Sequence, residues 1–356
     1  MSVLLFSALR RGRYLTCSPA QHSSCADKET TLTQAEDEAF EAYVGDQLDA
    51  VERRLSAITL TAANPFLAEA AEHIIAAGGK RFRPMLVAVT SQLGPQPNDA
   101  AAQIAAVVVE LTHVASLYHD DVMDDAALRR GVPSANAAYG NSTAIMVGDW
   151  LFARASNQVA TLGNDFVRMQ ADTFAELVTG QIDEMRGPQP GHDAMLHYLN
   201  VVAGKTGALI RTSAVFGAMT SGASREVLDA LAQFGMQIGV VFQLADDLMD
   251  IMSDDSGKAP GTDLREGVST LPTLMLAASE DSDDDELKSL IAGDLADDDV
   301  LARTLAMLRA NHVIEEARAD IVQRAELARK QLDLLPDGAA TRALSRLCDE
   351  VVSRSN

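Results

Sequence analysis

The chain has 356 residues, of which 47% are hydrophobic and 4% are aromatic, and its formal net charge is −22 at pH 7. This length and apolar fraction suffice for a large buried core in one or two domains. The acidic balance argues against a nucleic-acid-binding protein, because no broad basic surface is available for phosphate groups, and it disfavours simple attraction to anionic lipid.

The cysteines and the apolar runs bear on location. Cys17, Cys25 and Cys348 are scattered without the spacing of a metal or redox site, which indicates a reducing, cytoplasmic compartment and no disulfide framework. No apolar run approaches the roughly 18 residues of a membrane span. An anionic substrate would need local basic residues or a metal ion to bind so acidic a protein.

The first segment, residues 1–34, is expected to be a disordered N-terminal extension. It carries Arg10, Arg11 and Arg13 with no acid before Asp27, a composition that also occurs in transit peptides. A disordered extension or a misassigned start is the preferred interpretation. The folded domain is expected to span residues 35–356.

Helical periodicity begins near Ala35 and continues through most of the chain. Apolar residues of the first helix recur at helical spacing: Phe40, Val44, Leu48, Val51 and Leu55. The later predicted helices cover residues 80–93, 98–125, 142–162, 164–186, 193–221, 224–253, 270–279, 284–293, 297–311, 314–334 and 337–353. No convincing β alternation is found, and residues 253–269 form the longest polar interruption. The sequence therefore predicts an all-α, single-domain helical bundle.

An aspartate cluster, Asp120-Asp121-x-x-Asp124, ends an otherwise apolar helix. Positions i and i+4 share a helix face, so Asp120 and Asp124 point the same way. Carboxylates at a helix C-terminus are poorly placed unless a cation binds them, and Mg²⁺ prefers such oxygen ligands. A solvated acidic helix end is the alternative. A His119-Asp120 pair of a metal hydrolase is disfavoured, because no other histidine has matching spacing.

A second cluster with the same pattern, Asp246-Asp247-x-x-Asp250, follows 126 positions later (246 − 120). It also interrupts an apolar helix, and acidic residues are rarely buried without a partner. Two such clusters facing each other would hold several Mg²⁺ ions, which in turn would hold a polyphosphate.

Basic residues occur where a diphosphate would need them. Lys80, Arg81 and Arg83 follow the break at Gly78-Gly79, and a helix from residue 80 would place Lys80 and Arg83 on one face with Arg81 turned away. A helix N-terminus adds N–H groups that bind anions. Further basic or polar candidates are Arg129 and Arg130 beyond the first cluster, and Lys205, Thr206 and Lys258.

Taken together, the motifs resemble the trans-isoprenyl diphosphate synthase (polyprenyl synthetase) family over about residues 36–353. They occur in the family's order: GGKRFRP, LYHDDVMD, RRGVPS, GQIDE, KTGAL, FQLADDLMD and GKAPGTDLREG. The resemblance implies an isoprenoid-synthase-type bundle of long helices around a central cavity, usually a homodimer, with both aspartate clusters lining the cavity. It also implies peripheral membrane association for product release.

The family's chemistry is a Mg²⁺-dependent condensation. An allylic diphosphate (dimethylallyl, geranyl, farnesyl or geranylgeranyl) ionises to a carbocation as pyrophosphate departs. The double bond of isopentenyl diphosphate attacks the cation, a proton is lost, and the longer trans product repeats the cycle. A closed apolar cavity keeps water away from the cation.

Roles are carried over by position from this resemblance. The six implied metal-binding residues are Asp120, Asp121, Asp124, Asp246, Asp247 and Asp250, some direct and some through water. The implied isopentenyl diphosphate site is Lys80, Arg83, His113 and Arg130, and the implied allylic site is Arg129, Lys205, Thr206, Gln243 and Lys258. Those nearest the chemistry are Asp120, Asp124, Lys205 and Asp246. Many relatives have Lys where this chain has Val268, so one cation is missing or supplied elsewhere.

Product length is predicted from the helix before the first cluster. In this family, bulky side chains there stop the growing chain, whereas Ala115 and Ser116 are small and residues 101–117 contain no aromatic side chain. About 28 Å of helix separates Ala101 from Asp120 at ~1.5 Å per residue, and an isoprene unit covers roughly 5 Å. A medium- or long-chain product, such as a quinone side-chain precursor, is expected. Alternatively, Ala115 only packs and another helix forms the floor.

Four alternatives stay open. A short-chain farnesyl or geranylgeranyl diphosphate synthase would share every motif. A terpene cyclase shares the ionisation but needs no second diphosphate site. A subunit of a heteromeric synthase would be expected to lose aspartates if it were non-catalytic. A structural bundle with incidental acids would release no pyrophosphate.

Overall fold

The computed structural model describes residues 25–252 and 261–354, with side chains from residue 33 onward. Sixteen α-helices occur in these ranges: α1 Cys25–Thr59, α2 Pro65–Ala76, α3 Phe82–Thr90, α4 Asp99–Met123, α5 Ala135–Tyr139, α6 Asn141–Val159, α7 Asn164–Arg186, α8 Ala194–Val202, α9 Ala208–Thr220, α10 Arg225–Met252, α11 Thr262–Arg265, α12 Leu271–Ala278, α13 Asp285–Ile291, α14 Asp298–Ala310, α15 Val313–Lys330 and α16 Ala339–Ser353. A π-helical turn, Ala203–Gly207, joins α8 to α9. The all-α prediction is confirmed.

Two compact units make up the chain. Unit 1 is formed by the described parts of Met1–Phe174, Thr212–Ala232 and Leu334–Arg346, and unit 2 by those of Ala175–Arg211, Gln233–Asp333 and Leu347–Asn356. In unit 1, α4 packs against α1, α3 and α6, around fully buried Leu86, Leu111 and Leu151. In unit 2, α12 packs against α8 and α15. The first aspartate cluster belongs to unit 1 and the second to unit 2.

Helix ends follow local chemistry. The side chain of Asn98 accepts the backbone N–H of Ala101 at 3.1 Å and caps α4. Asn64 caps α2 in the same way, with Pro65 in the first turn. The sequence prediction missed the break between α1 and α2, because this break is marked by a helix cap and not by a change in apolar spacing.

Three predicted elements need correction. α1 begins at Cys25 rather than near Ala35, since polar residues can continue a helix without an apolar stripe. α3 begins at Phe82, so Lys80 and Arg81 precede it and the shared helix face of Lys80 and Arg83 does not exist. The predicted helix 193–221 contains the π-helical turn.

A short hairpin is the exception to the predicted absence of β-structure. Strands β1 (Leu128–Arg129) and β2 (Val132–Pro133) pair antiparallel. Between them Arg130 and Gly131 have φ angles of 55° and 79°. Positive φ at both turn residues is the geometry that suits a two-residue hairpin. The strands are too short to show an alternating pattern.

In the part of the chain that the structure describes, α4 and α10 are long and apolar enough to cross a membrane by length and composition alone. In their most apolar windows, 67% of α4 and 50% of α10 are buried inside the protein. Central helices of a globular protein pass the same test, because they too are surrounded by apolar side chains.

Candidate active site

The first aspartate cluster lies where α4 ends. Asp124 is the C-cap residue, and its backbone N–H donates to the carbonyl oxygen of Asp120 at 2.8 Å. The two side chains are therefore one turn apart, as predicted. Asp120 is partly buried and Asp124 exposed, which leaves carboxylate oxygens accessible to a cation.

Asp121 has a different environment from its two neighbours in the cluster. It is fully buried, and its Oδ1 accepts from Nε of Arg129 at 2.7 Å and lies 2.6 Å from Nη2 of the same guanidinium. Its Oδ2 is buried without a hydrogen-bond partner among the described residues. Asp121 thus fixes Arg129, which β1 carries, beside the first cluster.

The hairpin also positions Arg130. Its Nη1 donates to the carbonyl oxygens of Ile74, at 2.9 Å, and Gly78. A Cβ added to Gly79 would lie 3.1 Å from this guanidinium and 3.2 Å from Nη1 of Arg81. Glycine at position 79 therefore permits the close approach of the loop to both arginines.

The guanidinium of Arg81 is buried and paired with carboxylates of the protein. Arg81 adopts a left-handed conformation with φ 48° and is 4% exposed. Its guanidinium pairs with Glu52 and donates to Glu110 at 2.7 Å and to the carbonyl oxygen of Ile75 at 3.1 Å. The preceding Lys80 is exposed. The expectation that Arg81 turns away from Lys80 holds, although its cause is this buried ion pair and not helix periodicity.

Arg81, Arg83 and Arg130 form a basic cluster around the carboxylate of Glu110, and His113 lies beside it. Burial lowers the pKa of Arg83 to about 10, Glu110 opposes this shift and Arg130 adds to it. Burial and the arginines, Arg83 foremost, hold the pKa of His113 well below its usual range. The ring is therefore neutral at pH 7, and the excess positive charge comes from arginine.

His113 makes stability depend on pH. Below about pH 6.5 His113 becomes protonated in the unfolded chain but stays neutral in the folded protein. The free energy of unfolding therefore falls as the solution is acidified. We expect His113→Gln to lose less stability than the wild type between pH 7.5 and 5.5 in urea denaturation. His192→Gln, at an exposed position, is the control. An equal loss of unfolding free energy in the wild type and both variants would contradict the lowered pKa of His113.

The second aspartate cluster lies near the end of α10. Asp246 and Asp250 are partly buried, whereas Asp247 is 5% exposed. Tyr198 Oη donates to Asp247 Oδ2, and Gln243 Nε2 donates to Asp247 Oδ1 at 2.8 Å. Burial raises the pKa of Asp247 to about 6; the two hydrogen bonds oppose the shift, and the neighbouring aspartates add to it.

The π-helical turn carries two predicted residues. Lys205 Nζ pairs with Glu184 of α7, and Thr206 Oγ1 donates to Gln243 Oε1 at 3.0 Å. A Cβ added to Gly180 would lie 2.9 Å from the backbone nitrogen of Lys205. The GQIDE motif therefore has a local role: Gly180 admits the turn and Glu184 holds its lysine.

Two residues beside the second cluster were missed by sequence reasoning. Tyr198 lies seven positions before Lys205, two helical turns, and this spacing was a usable signal. Arg354 lies 3.9 Å from Asp246 and 4.9 Å from the ring centroid of Phe242. No sequence pattern marks Arg354, because its neighbours on the chain are unrelated to the motif.

The other residues singled out from the sequence are Lys258, Val268, Ala115 and Ser116. Lys258 lies outside the described residues. Val268, where relatives often have Lys, is 41% exposed. Ala115 is fully buried and Ser116 is 7% exposed, with its hydroxyl donating to the carbonyl oxygen of His113 at 2.8 Å. The backbone of Ala115 also lies close to Gly148 of α6.

Both aspartate clusters supply oxygen donors that suit a divalent cation. Among the described residues, no three acidic, histidine or cysteine side chains form a ready-made metal site. The chemistry still fits: accessible carboxylates one turn apart at Asp120 and Asp124, and at Asp246 and Asp250, are hard oxygen donors. The unpartnered buried oxygen of Asp121 also fits a cation. These residues can contribute ligands, with the remainder supplied by substrate or water.

Comparison with known proteins agrees with the motifs. The family model described as polyprenyl synthetase matches residues 64–308. A nonaprenyl diphosphate synthase from Mycobacterium tuberculosis is 46% identical over 320 residues, covering 89% of this chain and 95% of the relative.

Two solved structures of related enzymes are similar to this chain in both fold and sequence. A geranylgeranyl pyrophosphate synthase from Corynebacterium glutamicum, in complex with calcium and isoprenyl diphosphate, has a TM-score of 0.79 and 41% identity, covering 88% of this chain and 97% of its own. A decaprenyl diphosphate synthase from Rhodobacter capsulatus has a TM-score of 0.79 and 30% identity, covering 90% and 99%. With more than half of its length matched by the family model, this chain belongs to the polyprenyl synthetase family.

Proposed function

We propose that this polyprenyl synthetase condenses isopentenyl diphosphate repeatedly with an allylic diphosphate to make an all-trans polyprenyl diphosphate of medium or long chain. As a member of its family it is a prenyltransferase acting on isoprenyl diphosphates. The observation that carries the proposal is the basic cluster in unit 1. Among the described residues, Glu52 and Glu110 are the two carboxylates that interact with these three arginines, Arg81, Arg83 and Arg130.

An excess of buried positive charge favours binding of an anion. Arg83 has a buried Nε without a hydrogen-bond partner among the described residues, and such a donor is costly unless a ligand oxygen accepts from it. We assign Lys80, Arg83, His113 and Arg130 to isopentenyl diphosphate. A terpene cyclase would need no such second diphosphate site, so the cluster favours a condensing enzyme.

The allylic diphosphate is assigned to the aspartate clusters and their cations. Asp120, Asp124, Asp246 and Asp250 would hold Mg²⁺, with Asp121 and Asp247 contributing directly or through water. When bound, Mg²⁺ neutralises the diphosphate and stabilises the pyrophosphate that leaves. Arg129, Lys205, Thr206, Gln243 and Lys258 orient this substrate. Arg354, beside Asp246, is the candidate for the cation absent at Val268.

Bond changes in the proposed reaction balance without a further reactant. The C–O bond of the allylic diphosphate breaks, and its electrons leave with pyrophosphate. The π electrons of isopentenyl diphosphate form the new C–C bond and leave a new carbocation. A C–H bond beside that cation then breaks, its electrons form the new double bond, and its proton passes to pyrophosphate. Arg129 and Lys205 are each held by a carboxylate within their own unit, so each cation is already ordered before charge develops on an oxygen beside it.

Chain length is the finer part of the proposal. The small side chains at Ala115 and Ser116 and the absence of aromatic residues over 101–117 support a product longer than C20. The 46%-identical relative is named for a nonaprenyl product, whereas the 41%-identical structure is named for geranylgeranyl diphosphate. The residues of this chain favour the longer product.

Labelled isopentenyl diphosphate is the reagent for the central test. We expect the purified chain, with Mg²⁺ and farnesyl or geranylgeranyl diphosphate, to form products longer than C20, and to stop when EDTA removes the metal. An end product of C15 or C20 would refute the chain-length proposal. Pyrophosphate release without isopentenyl incorporation would indicate a cyclase. Activity only after a second protein is added would indicate a heteromeric synthase.

We further propose one domain over residues 35–356, a homodimer, a cytoplasmic location and peripheral membrane association for product release. The family model crosses both compact units, which supports a single domain. Exposed Ile145 and Met146 on α6 support an interface there. The burial of the apolar windows of α4 and α10 favours a protein that does not span the membrane.

A further inference from the structure

Asp247 differs from the other two aspartates of the second cluster. Asp246 and Asp250 are four positions apart on one face of α10, and Asp247 points about 100° away from Asp246. The Asp246 side chain is 33% exposed, whereas Asp247 is 5% exposed. A buried carboxylate beside two like charges needs donors to hold it in place.

Tyr198 supplies one of these donors from a different helix. Its hydroxyl reaches from α8 to Asp247 Oδ2 on α10. An ionised carboxylate only accepts hydrogen bonds, so the Tyr198 hydroxyl is the donor in this bond.

The other oxygen of Asp247 belongs to a chain of hydrogen bonds. Gln243 Nε2 donates to Oδ1 at 2.8 Å, and Gln243 Oε1 accepts from Thr206 Oγ1 at 3.0 Å. Both ends of the amide are satisfied in one orientation only, since the nitrogen must face Asp247 and the oxygen Thr206. The network thus connects α8, α10 and the π-helical turn that carries Lys205.

We propose that Tyr198 is a positioning residue of the second aspartate cluster: its hydroxyl fixes Asp247, and through Gln243 and Thr206 it fixes the turn of Lys205. The inference rests on the proposed function, because the fixed groups are those assigned to the metal and the allylic diphosphate. Partners that orient a metal site from behind its ligands typically change metal affinity about 10- to 100-fold when they are removed.

Tyr198→Phe tests the inference with little change in packing, since only the hydroxyl is lost. Titration calorimetry with Mg²⁺ and inorganic pyrophosphate should show binding about 10- to 100-fold weaker than in the wild type. In steady state, the Mg²⁺ concentration for half-maximal rate should rise, while the KM for isopentenyl diphosphate stays unchanged. A general loss of folding would instead lower the maximal rate without changing the Mg²⁺ concentration for half-maximal rate.

Tyr43→Phe is the matched control. The hydroxyl of Tyr43 also donates to an aspartate, Asp99 Oδ1, at 2.8 Å. Asp99 begins α4, and Asp120 lies 21 positions further along that helix (120 − 99), about 30 Å away at ~1.5 Å per residue. Tyr43→Phe removes the same kind of hydrogen bond, but the bond lies far from the first cluster and belongs to unit 1, whereas Asp247 belongs to unit 2. The variant should therefore leave pyrophosphate binding unchanged.

A double-mutant cycle decides whether Tyr198 acts through Asp247. If it does, Tyr198→Phe adds no further loss to Asp247→Asn. Additive losses of pyrophosphate binding would overturn the inference. So would a Tyr198→Phe variant that binds pyrophosphate as tightly as the Tyr43→Phe control. In both cases an active wild type would still support the proposed function. A wild type that neither binds Mg²⁺-pyrophosphate nor extends a primer would overturn both.

Discussion

Asp246→Asn is expected to lower kcat of prenyl transfer by about 10²- to 10³-fold, the usual effect of removing one group that stabilises developing charge. Asp246 is an accessible carboxylate of the second cluster, and asparagine keeps its shape while removing the negative charge that a divalent cation requires. Rates at saturating farnesyl and isopentenyl diphosphate, measured over a series of Mg²⁺ concentrations, check this expectation.

Asp229→Asn on the same helix is the control. Asp229 is exposed and pairs with Arg225 at 2.9 Å, and such surface pairs contribute little to stability. Its kcat and Mg²⁺ dependence should equal those of the wild type. An Asp246→Asn variant with the wild-type rate at every Mg²⁺ concentration would remove Asp246 from the proposed metal site.

Ala115→Phe is expected to shorten the product. A phenyl ring five positions before Asp120 would close the space assigned to the growing chain. Ala115 is fully buried, so the larger side chain also costs about 1–3 kcal/mol of folding stability. Product sizing therefore has to accompany thermal unfolding of the same preparation.

Val108→Phe serves as a graded comparison. Val108 lies seven positions earlier on nearly the same face of α4 and is equally buried. Seven residues correspond to about 10 Å of helix, or roughly two isoprene units. If this face is the wall of the product site, Val108→Phe should yield products about two units longer than Ala115→Phe. A folded Ala115→Phe variant with the wild-type product would show that Ala115 only packs against its neighbours.

The position of Ala115 shows why the chain-length residues are harder to assign than the aspartates. Sequence alone showed that position 115 is small and that no aromatic residue precedes it. It did not show whether a small residue makes room for a substrate or for a neighbouring helix. The structure adds that Gly148 of α6 lies close to the Ala115 backbone, a contact between helices that the sequence does not reveal.

Much of the fold was accessible to sequence reasoning. α7 has the predicted bounds, and α10 and α14 differ from prediction by one residue at each end. These helices show strong apolar periodicity and have caps or breakers beside them, so the information lies within a few residues. The hairpin and the π-helical turn were missed because each is too short to have a period.

The available chemistry can be read from the sequence alone: two aspartate clusters on apolar helices, a glycine-rich basic loop, and the family to which they belong. The tertiary structure decided which members are accessible. It buried Arg81 against Glu52 and Glu110, paired Asp121 with Arg129, and joined Tyr198 to Asp247 across 49 positions. Periodicity relates residues one turn apart, whereas burial and hydrogen bonding between helices depend on packing that no local pattern encodes.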